Sequence, residues 1–263
     1  MNFESLWSQV TSSGKPVDAV GYYYEGTQSW AENMAYLFKG NNFFRWDLKE
    51  NTALERSLPP KAMKESWTSI PFDRIDACLT WPAGVGPDYT KNLMYMFSGD
   101  KYISYDCAKQ ELHSQIRDIK DARPDFPFDA LDATVIFPQD SCPDYAKNIA
   151  YMFYKDEYIK WDLTTDSLAV GSRKIKDGFP GYPFDGLDAA IVFPKSVGTD
   201  ETKSKAIFMR GGSFVVWDCT TDSWLSGPHD MDLFWSEGWS SSAGSEYVVK
   251  NRTPAEALLL YMC

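Results

Sequence analysis

Four Asp-Ala pairs are the best candidates for a functional site in this sequence. They are separated by 58, 56 and 56 residues and lie at Asp18-Ala19, Asp76-Ala77, Asp132-Ala133 and Asp188-Ala189. Oxygen atoms are the ligands that hard cations such as Ca²⁺ prefer in proteins. The pairs could serve an ion only if the fold brings them together, so the elements around them decide what they do.

Catalysis finds little support in the sequence. Nucleophilic enzymes need a nucleophile, a base and a group that orients the base. The chain has only two histidines, His113 and His229, and it contains neither a Gly-x-Ser-x-Gly motif nor a Gly-rich phosphate-binding loop. The clustered carboxylates at 185–188 and 230–232 are better explained as parts of the repeat and of the segment that closes it. We therefore predict that the protein is not an enzyme.

A repeated supersecondary unit surrounds each Asp-Ala pair. The unit ends in an aromatic-x-x-(Trp/Tyr)-Asp motif, whose final residues are Asp47, Asp106, Asp162 and Asp218. In the third copy, the apolar run 128–137 predicts a strand that stops at Pro138, and residues 148–153 and 158–162 predict two more strands. Residues that tolerate a positive φ suggest two-residue turns between the second and third strands, at Gly40-Asn41, Gly99-Asp100, Lys155-Asp156 and Gly211-Gly212.

The size of the repeat predicts a ring of small sheets. The variable stretch after each third strand suits an outer edge strand or a helical turn, so each unit is a sheet of about four strands, which is marginal alone. Stacking the repeats buries the faces of the sheets. The predicted fold is all-β, a four-bladed β-propeller with a short C-terminal extension. WD40 and kelch propellers fit less well, because their units run about 40–45 and about 50 residues.

The pattern resembles the hemopexin repeat. The resemblance rests on Tyr36-Leu37-Phe38-Lys39-Gly40, on the Phe/Tyr-x-x-Trp/Tyr-Asp strands, and on Ile75-Asp76-Ala77, Leu131-Asp132-Ala133 and Leu187-Asp188-Ala189. It implies a single domain over residues 1–263, with blades at about 16–70, 71–126, 127–182 and 183–235 and a tail at 236–263. A relative of plant seed albumins, or of bacterial and fungal hemopexin-like proteins, is the closest expectation.

The resemblance also implies an ion in the central channel. In hemopexin-like folds the Asp-Ala residues begin the innermost strand of each blade, and their main-chain carbonyls line the channel. Converging carbonyl dipoles repel one another, and a cation such as Ca²⁺ or Na⁺ relieves that repulsion. The expected ligands are the main-chain oxygens of Asp18, Asp76, Asp132 and Asp188, with a second tier at Val20, Cys78, Thr134 and Ala190. In the alternative, the aspartate side chains bond local turns and the channel holds water.

Haem binding is a second implication of the resemblance. Haem needs axial ligands, most often histidine. His229 is the possible haem ligand, while His113 lies in the segment after blade two, half a ring away. A homodimer could bring two copies of His229 to one haem. Two solvent-exposed loop histidines are the alternative interpretation.

Composition narrows the partners and the compartment. With a formal net charge of −11, binding to nucleic acid is not expected, because that affinity comes mostly from Lys and Arg; polyamines or metal ions are favoured. No apolar run approaches the roughly 20 residues of a membrane span. The start of the sequence shows no signal peptide. Five cysteines lie at no metal spacing: Cys78, Cys107, Cys142, Cys219 and Cys263. A reduced cytoplasmic protein is therefore expected, with release by a non-classical route as a further possibility.

Two other segments carry predictions. The loops between the first and second strands should emerge on one face of the propeller, and they contain Trp30, Tyr89 and Tyr145, which suit sugar stacking or protein contacts. Packing between blades is the alternative role of these rings. Near the C-terminus, Thr253-Pro254-Ala255-Glu256 predicts the start of a helix that could pack across the junction of blades one and four.

Together these observations predict a non-enzymatic binding protein with a cation in its central channel. The expected ligand is small, either a polyamine or haem. The alternative is a carbohydrate- or protein-binding protein, a lectin or a toxin-like defence protein.

Overall fold

The computed structural model describes residues 17–23, 28–54, 60–231 and 234. The first sheet holds β1 (Ala19–Tyr22), β2 (Met34–Lys39), β3 (Asn42–Asp47), β4 (Thr52–Ala53) and β5 (Lys61–Ala62). The second holds β6 (Ala77–Thr80), β7 (Leu93–Ser98), β8 (Lys101–Asp106), β9 (Glu111–Leu112) and β10 (Arg117–Asp118). The third holds β11 (Ala133–Ile136), β12 (Ile149–Tyr154), β13 (Glu157–Asp162) and β14 (Ser167–Lys174). The fourth holds β15 (Ala189–Phe193), β16 (Lys205–Arg210), β17 (Ser213–Asp218) and β18 (Ser223–Asp230).

The four sheets form a closed ring of blades. Each sheet is antiparallel and runs in chain order from an inner strand to an outer one. The inner strands contact one another in the order β1, β6, β11 and β15, and β15 returns to contact β1. Blades one to four are numbered in this order below, and the interface between neighbouring blades is called a seam. The prediction of an all-β, four-bladed propeller is confirmed.

The turn between the second and third strands has the predicted length in every blade. The strand register leaves two residues in each turn, as in the pairing of Tyr154 with Glu157. The first turn residue has a positive φ of 55° to 58°, at Gly40, Gly99, Lys155 and Gly211. Glycine adopts this conformation readily, and Lys155 adopts it without that freedom.

The outer strand differs between the two halves of the ring. In blades three and four it is continuous, as β14 and β18, while in blades one and two it is split into β4 with β5 and β9 with β10. A single helical turn follows in three blades: α1 (Met63–Ser66), α2 (Ile119–Ala122) and α3 (Ile175–Gly178). The variable stretch therefore forms both of the elements that the sequence suggested.

Apolar side chains fill the seams. Each of four buried clusters combines residues of two neighbouring blades. Val216, which breaks the apolar-polar alternation of its strand, is fully buried in the cluster shared by blades four and one, together with Met231 and Phe234. The ring of Phe234 stacks on Trp46 of blade one at a centroid distance of 4.6 Å. The end of blade four thus packs directly on blade one.

Cysteine chemistry plays no part in holding the described blades together. Cys78, Cys107, Cys142 and Cys219 are all buried free thiols. Cys263 and the predicted C-terminal helix lie outside the described residues. No helix among the residues that the structure describes has the length and apolar character needed to cross a membrane.

Candidate functional site

The four aspartates of the Asp-Ala pairs hold the inner end of each blade in place. In each blade the aspartate Oδ2 accepts the main-chain N–H of the first turn residue at 2.7 to 2.8 Å: Asp18 from Gly40, Asp76 from Gly99, Asp132 from Lys155 and Asp188 from Gly211. The aspartate main-chain N–H donates to the second strand at 2.8 to 2.9 Å. The side chains therefore bond local turns. A role for the main-chain oxygens in binding an ion stays a prediction.

Two arginines pair with these aspartates. Arg74 lies between two blades, with Nη2 at 3.0 Å from Asp18 Oδ1 and Nε at 2.8 Å from Asp76 Oδ1. Arg210 places Nη1 at 2.7 Å from Asp188 Oδ1 and reaches Asp185 at 3.9 Å. The Asp18 and Asp188 side chains are nearly inaccessible, at 1% and 2% exposure. Buried carboxylates of this kind need charged partners, which the two guanidinium groups supply.

Sequence reasoning missed both arginines. In the segments before the second, third and fourth Asp-Ala pairs, Arg74 stands where Ala130 and Gly186 stand in the other copies. A Cβ atom added at Gly186 would lie 2.7 Å from Arg210 Cζ, so Arg210 occupies space that a side chain there would need. The sequence signal for Arg74 was a charged residue at a position where the other copies have a small residue. Its meaning becomes clear only when neighbouring blades are placed side by side.

Hydroxyl groups bridge the inner strands at the level of the predicted second tier. The Tyr22 hydroxyl donates to the Ala190 carbonyl at 3.2 Å and accepts the Val192 N–H at 2.8 Å. The Thr80 hydroxyl donates to the Tyr22 carbonyl at 2.8 Å. The Thr134 hydroxyl donates to the Cys78 carbonyl. These bridges cross three of the four seams.

The bridges change what the second tier can bind. Of its four predicted oxygens, those of Cys78 and Ala190 already accept hydroxyl hydrogen bonds. A carbonyl retains one lone pair after accepting one bond, but the donor occupies the space beside it. An ion at this level would share these two oxygens with the hydroxyl donors, and the second tier stays a prediction.

The charged side chains around the inner ends of the blades are mostly acidic. No group of three or more His, Cys, Asp or Glu side chains among the described residues could hold a metal ion. Four carboxylates stand against Arg74, Arg210 and the buried Lys39. Burial lowers the pKa of Lys39, while the nearby Asp18 opposes that shift. The electrostatic balance around the inner ends of the blades is thus negative, which favours a cation.

The two histidines lie on opposite blades. His113 follows the short outer strand β9 of blade two and is exposed, whereas His229 is in the outer strand β18 of blade four. The His229 ring packs against Phe214 at 5.1 Å, and its Nε2 lies 3.1 Å from Ser226 Oγ. Burial lowers the pKa of His229, so the imidazole is neutral at pH 7. Within one chain, the structure does not bring the two histidines together.

The three loop aromatics occupy equivalent positions. Trp30, Tyr89 and Tyr145 are the middle residues of single 3-10 turns at Ser29–Ala31, Asp88–Thr90 and Asp144–Ala146. Their exposed fractions are 41%, 59% and 58%. The tyrosine hydroxyls reach the next blade, where Tyr89 donates to Asp166 at 2.8 Å and Tyr145 donates to Asp222 at 3.0 Å. The two tyrosines therefore connect neighbouring blades through their hydroxyl groups, while their rings stay exposed.

Solved structures share this architecture. A hemopexin fold protein from cow pea gives a TM-score of 0.61 at 19% identity, with 83% of this chain and 95% of that chain covered. A plant albumin from Cicer arietinum showing hemagglutination gives 0.61 at 20% identity, with 84% and 96% covered. A plant lectin with two metal binding sites, from the same plant, gives 0.59 at 20% identity, with 83% and 95% covered.

Comparisons of sequence add no relative. No family model matches the chain, and no curated protein matches it. The structural likeness at this identity concerns the fold, and it agrees with the ring of four blades built from repeated Asp-Ala motifs. The fold of this chain is therefore the four-bladed hemopexin-type propeller, as its repeats predicted.

Proposed function

We propose that the protein is a non-enzymatic, lectin-like binding protein that binds carbohydrate on its loop face and holds a cation in its central channel. The observation that carries the proposal is the set of exposed rings Trp30, Tyr89 and Tyr145, placed on the same face of a rigid ring. Exposed aromatic faces on a fixed scaffold suit stacking against the apolar face of a sugar. Hemagglutination and lectin activity in proteins of the same fold support this choice.

A polyamine is the second candidate ligand. It is favoured by the net charge of −11 and by the excess of carboxylates around the inner ends of the blades. Arg74 and Arg210 already occupy positions between these carboxylates, so a polycation would compete with them. Because of this competition, we rank a polyamine below carbohydrate as the candidate ligand.

A glycan array and haemagglutination test the carbohydrate proposal. Tyr145→Ala should weaken binding about tenfold, or about 1.4 kcal/mol, because it removes a stacking ring. Tyr145→Phe is the matched control, since it keeps the ring and loses only the bond to Asp222. An equal loss of carbohydrate affinity in both variants would show that the effect comes from the lost hydrogen bond to Asp222 at the seam, and not from the lost ring. A blank array together with a spermine-induced rise in melting temperature would replace the sugar by a polyamine.

The channel ion is tested by removing and restoring cations. We propose that the main-chain oxygens of Asp18, Asp76, Asp132 and Asp188 hold a Ca²⁺ or Na⁺ ion that braces the inner strands. An ion present at about 100 times its dissociation constant stabilises the folded state by about 2.7 kcal/mol. Dialysis against EDTA in choline chloride should therefore lower the melting temperature, and Ca²⁺ or Na⁺ added singly should restore it and identify the ion. Identical melting curves in all three buffers would exclude a stabilising ion.

A further inference from the structure

A pocket of about 380 Å³ lies at the seam between blades two and three. Its wall contains several aromatic rings, among them Trp81, Tyr95, Tyr102, Phe126 and Trp161. The volume falls in the range of about 300–1,000 Å³ that small-molecule sites occupy. The pocket lies in one seam, and of the three loop-face rings only Tyr89 lines it. The question is what makes this seam hollow.

The first cause is the residue that follows the helical turn. In three blades this residue donates its N–H to the first carbonyl of the turn, at 2.7 Å for Trp67 and 2.8 Å for Arg123 and Phe179. Trp67 and Phe179 are buried rings that fill their seams: Trp67 packs on Phe43 at 4.7 Å, and Phe179 packs on Trp217 of the next blade at 5.3 Å. At the seam of blades two and three the same position carries Arg123. A guanidinium on a flexible stem replaces an aromatic ring there.

The second cause is a short side chain in the third strand. The fourth residue of β3 is Arg45 and that of β13 is Lys160, while that of β8 is Ser104. The long cations cover neighbouring rings, with Arg45 Cζ at 5.9 Å from the Trp30 centroid and Lys160 Nζ at 4.9 Å from the Tyr151 centroid. Ser104 is too short to cover Tyr95, its neighbour in the pocket wall. Both departures from the repeat therefore open the same space.

The pocket is positively charged in an acidic protein. Its lining contains Arg117, Arg123 and Asp166, with the exposed His113 at its edge. The Arg123 guanidinium lies 5.5 Å from the Trp161 ring centroid and donates to Asp166 through Nη2 and Nη1. A guanidinium carries five N–H donors, so these contacts leave donors for a ligand. Burial raises the pKa of Tyr95, which keeps that phenol a neutral hydrogen-bond donor.

We infer that this pocket binds a planar aromatic molecule that carries one negative charge, and that Arg123 both opens the seam and receives that charge. The aromatic wall supplies the stacking surface, and the two arginines exceed the single aspartate by one positive charge. A carboxylate can pair with a guanidinium through two parallel hydrogen bonds. The pocket shares Tyr89 with the proposed loop-face site, but the tests differ: Tyr145→Ala tests the loop face, whereas the pocket is tested by variants of Ser104 and Arg123.

Two small carboxylates are suitable probes: trans-cinnamate and indole-3-acetate. Isothermal titration calorimetry should show saturable binding with one site per chain, and each neutral amide analogue should bind at least about tenfold more weakly. Ligand entry should also change the tryptophan fluorescence, because Trp81 and Trp161 line the pocket. The chain is used at full length.

The decisive variant is Ser104→Lys with Arg123→Phe, which installs the residue types that occupy the seam of blades three and four. Asp166 keeps two donors after the exchange, Trp161 at 3.0 Å and Tyr89 at 2.8 Å. The half-buried Asp222 of the next seam has the same pair beside Phe179, Trp217 at 3.0 Å and Tyr145 at 3.0 Å. The double variant should fold and lose detectable binding. Lys160→Ser, the converse exchange in blade three, should leave the affinity unchanged.

Two results would overturn the inference. One is the absence of saturable binding of either probe up to about 5 mM, which corresponds to less than about 3 kcal/mol of binding free energy. The other is a folded double variant that retains the affinity of the native chain. If circular dichroism shows that the double variant is unfolded, Ser104→Lys alone decides, because it fills the pocket while Arg123 stays in place; unchanged affinity in that variant contradicts the assignment.

Discussion

Replacing Phe179 by alanine should lower the free energy of unfolding by about 3–5 kcal/mol. The ring is 2% exposed and lies at the junction of two blades, 5.3 Å from Tyr158 in blade three and 5.3 Å from Trp217 in blade four. Rings from both sides fix the space around it, so the cavity cannot collapse without moving a blade. Chemical denaturation followed by tryptophan fluorescence measures the change.

Lys176→Ala provides the matched control for this prediction. Lys176 is exposed on the same helical turn, α3, and an exposed substitution of this kind changes stability by about 0.5 kcal/mol or less. A loss below about 1.5 kcal/mol for the Phe179 variant would contradict the prediction, because small losses mark sites that can repack. It would mean that the seam of blades three and four closes over the missing ring.

Replacing Asp188 by alanine should cost about 3 kcal/mol or more. Its carboxylate accepts the Gly211 N–H at 2.8 Å and the Arg210 Nη1 at 2.7 Å, and it is almost fully buried. Bonds to charged groups contribute about 1.5–3 kcal/mol each, and the substitution also leaves Arg210 with only the longer contact to Asp185. The melting temperature and the denaturation midpoint should both fall.

The same motif in blade three offers the comparison. Asp132 bonds the Lys155 N–H at 2.7 Å and is less buried than Asp188, so Asp132→Ala should cost less, about 1–2 kcal/mol. Asp188→Asn should fall between the two, since it keeps an acceptor for Gly211 and loses the ion pair. Equal losses for Asp188→Ala and Asp132→Ala would show that the turn bond alone matters and that the pairing with Arg210 adds nothing.

The fold could be predicted because the same pattern of strands and turns occurs four times in the sequence. The Asp-Ala pairs and the closing Trp/Tyr-Asp motifs recur at nearly constant spacing, and the turn residues between them require or tolerate a positive φ. A pattern held through four copies averages out the ambiguity of any single strand. The predicted hairpins and the inner position of the Asp-Ala strands follow from it.

The details of the candidate sites depend on departures from the repeat. Arg74, Arg123 and Ser104 each differ from their counterparts in other blades, and a comparison of copies treats such differences as noise. The roles of the two arginines appear only when neighbouring blades are placed in contact, because Arg74 reaches Asp18 of blade one and Arg123 reaches Asp166 of blade three. Long-range pairings of this kind are not encoded in local periodicity.

The hydroxyl bridges all donate in one sense around the ring, and each blade is held at two seams. Thr134 of blade three donates to blade two, Thr80 of blade two donates to blade one, and Tyr22 of blade one donates to blade four. Every hydroxyl therefore donates the same way around the axis, while the N–H groups of Val192 and Tyr22 donate in the opposite sense, to the hydroxyls of Tyr22 and Thr80. The seam of blades three and four is instead filled by the ring of Phe179. In a closed ring, one opened seam leaves each blade attached to a neighbour. Two seams must open before any blade can leave, so a single weak junction can loosen the molecule without taking it apart.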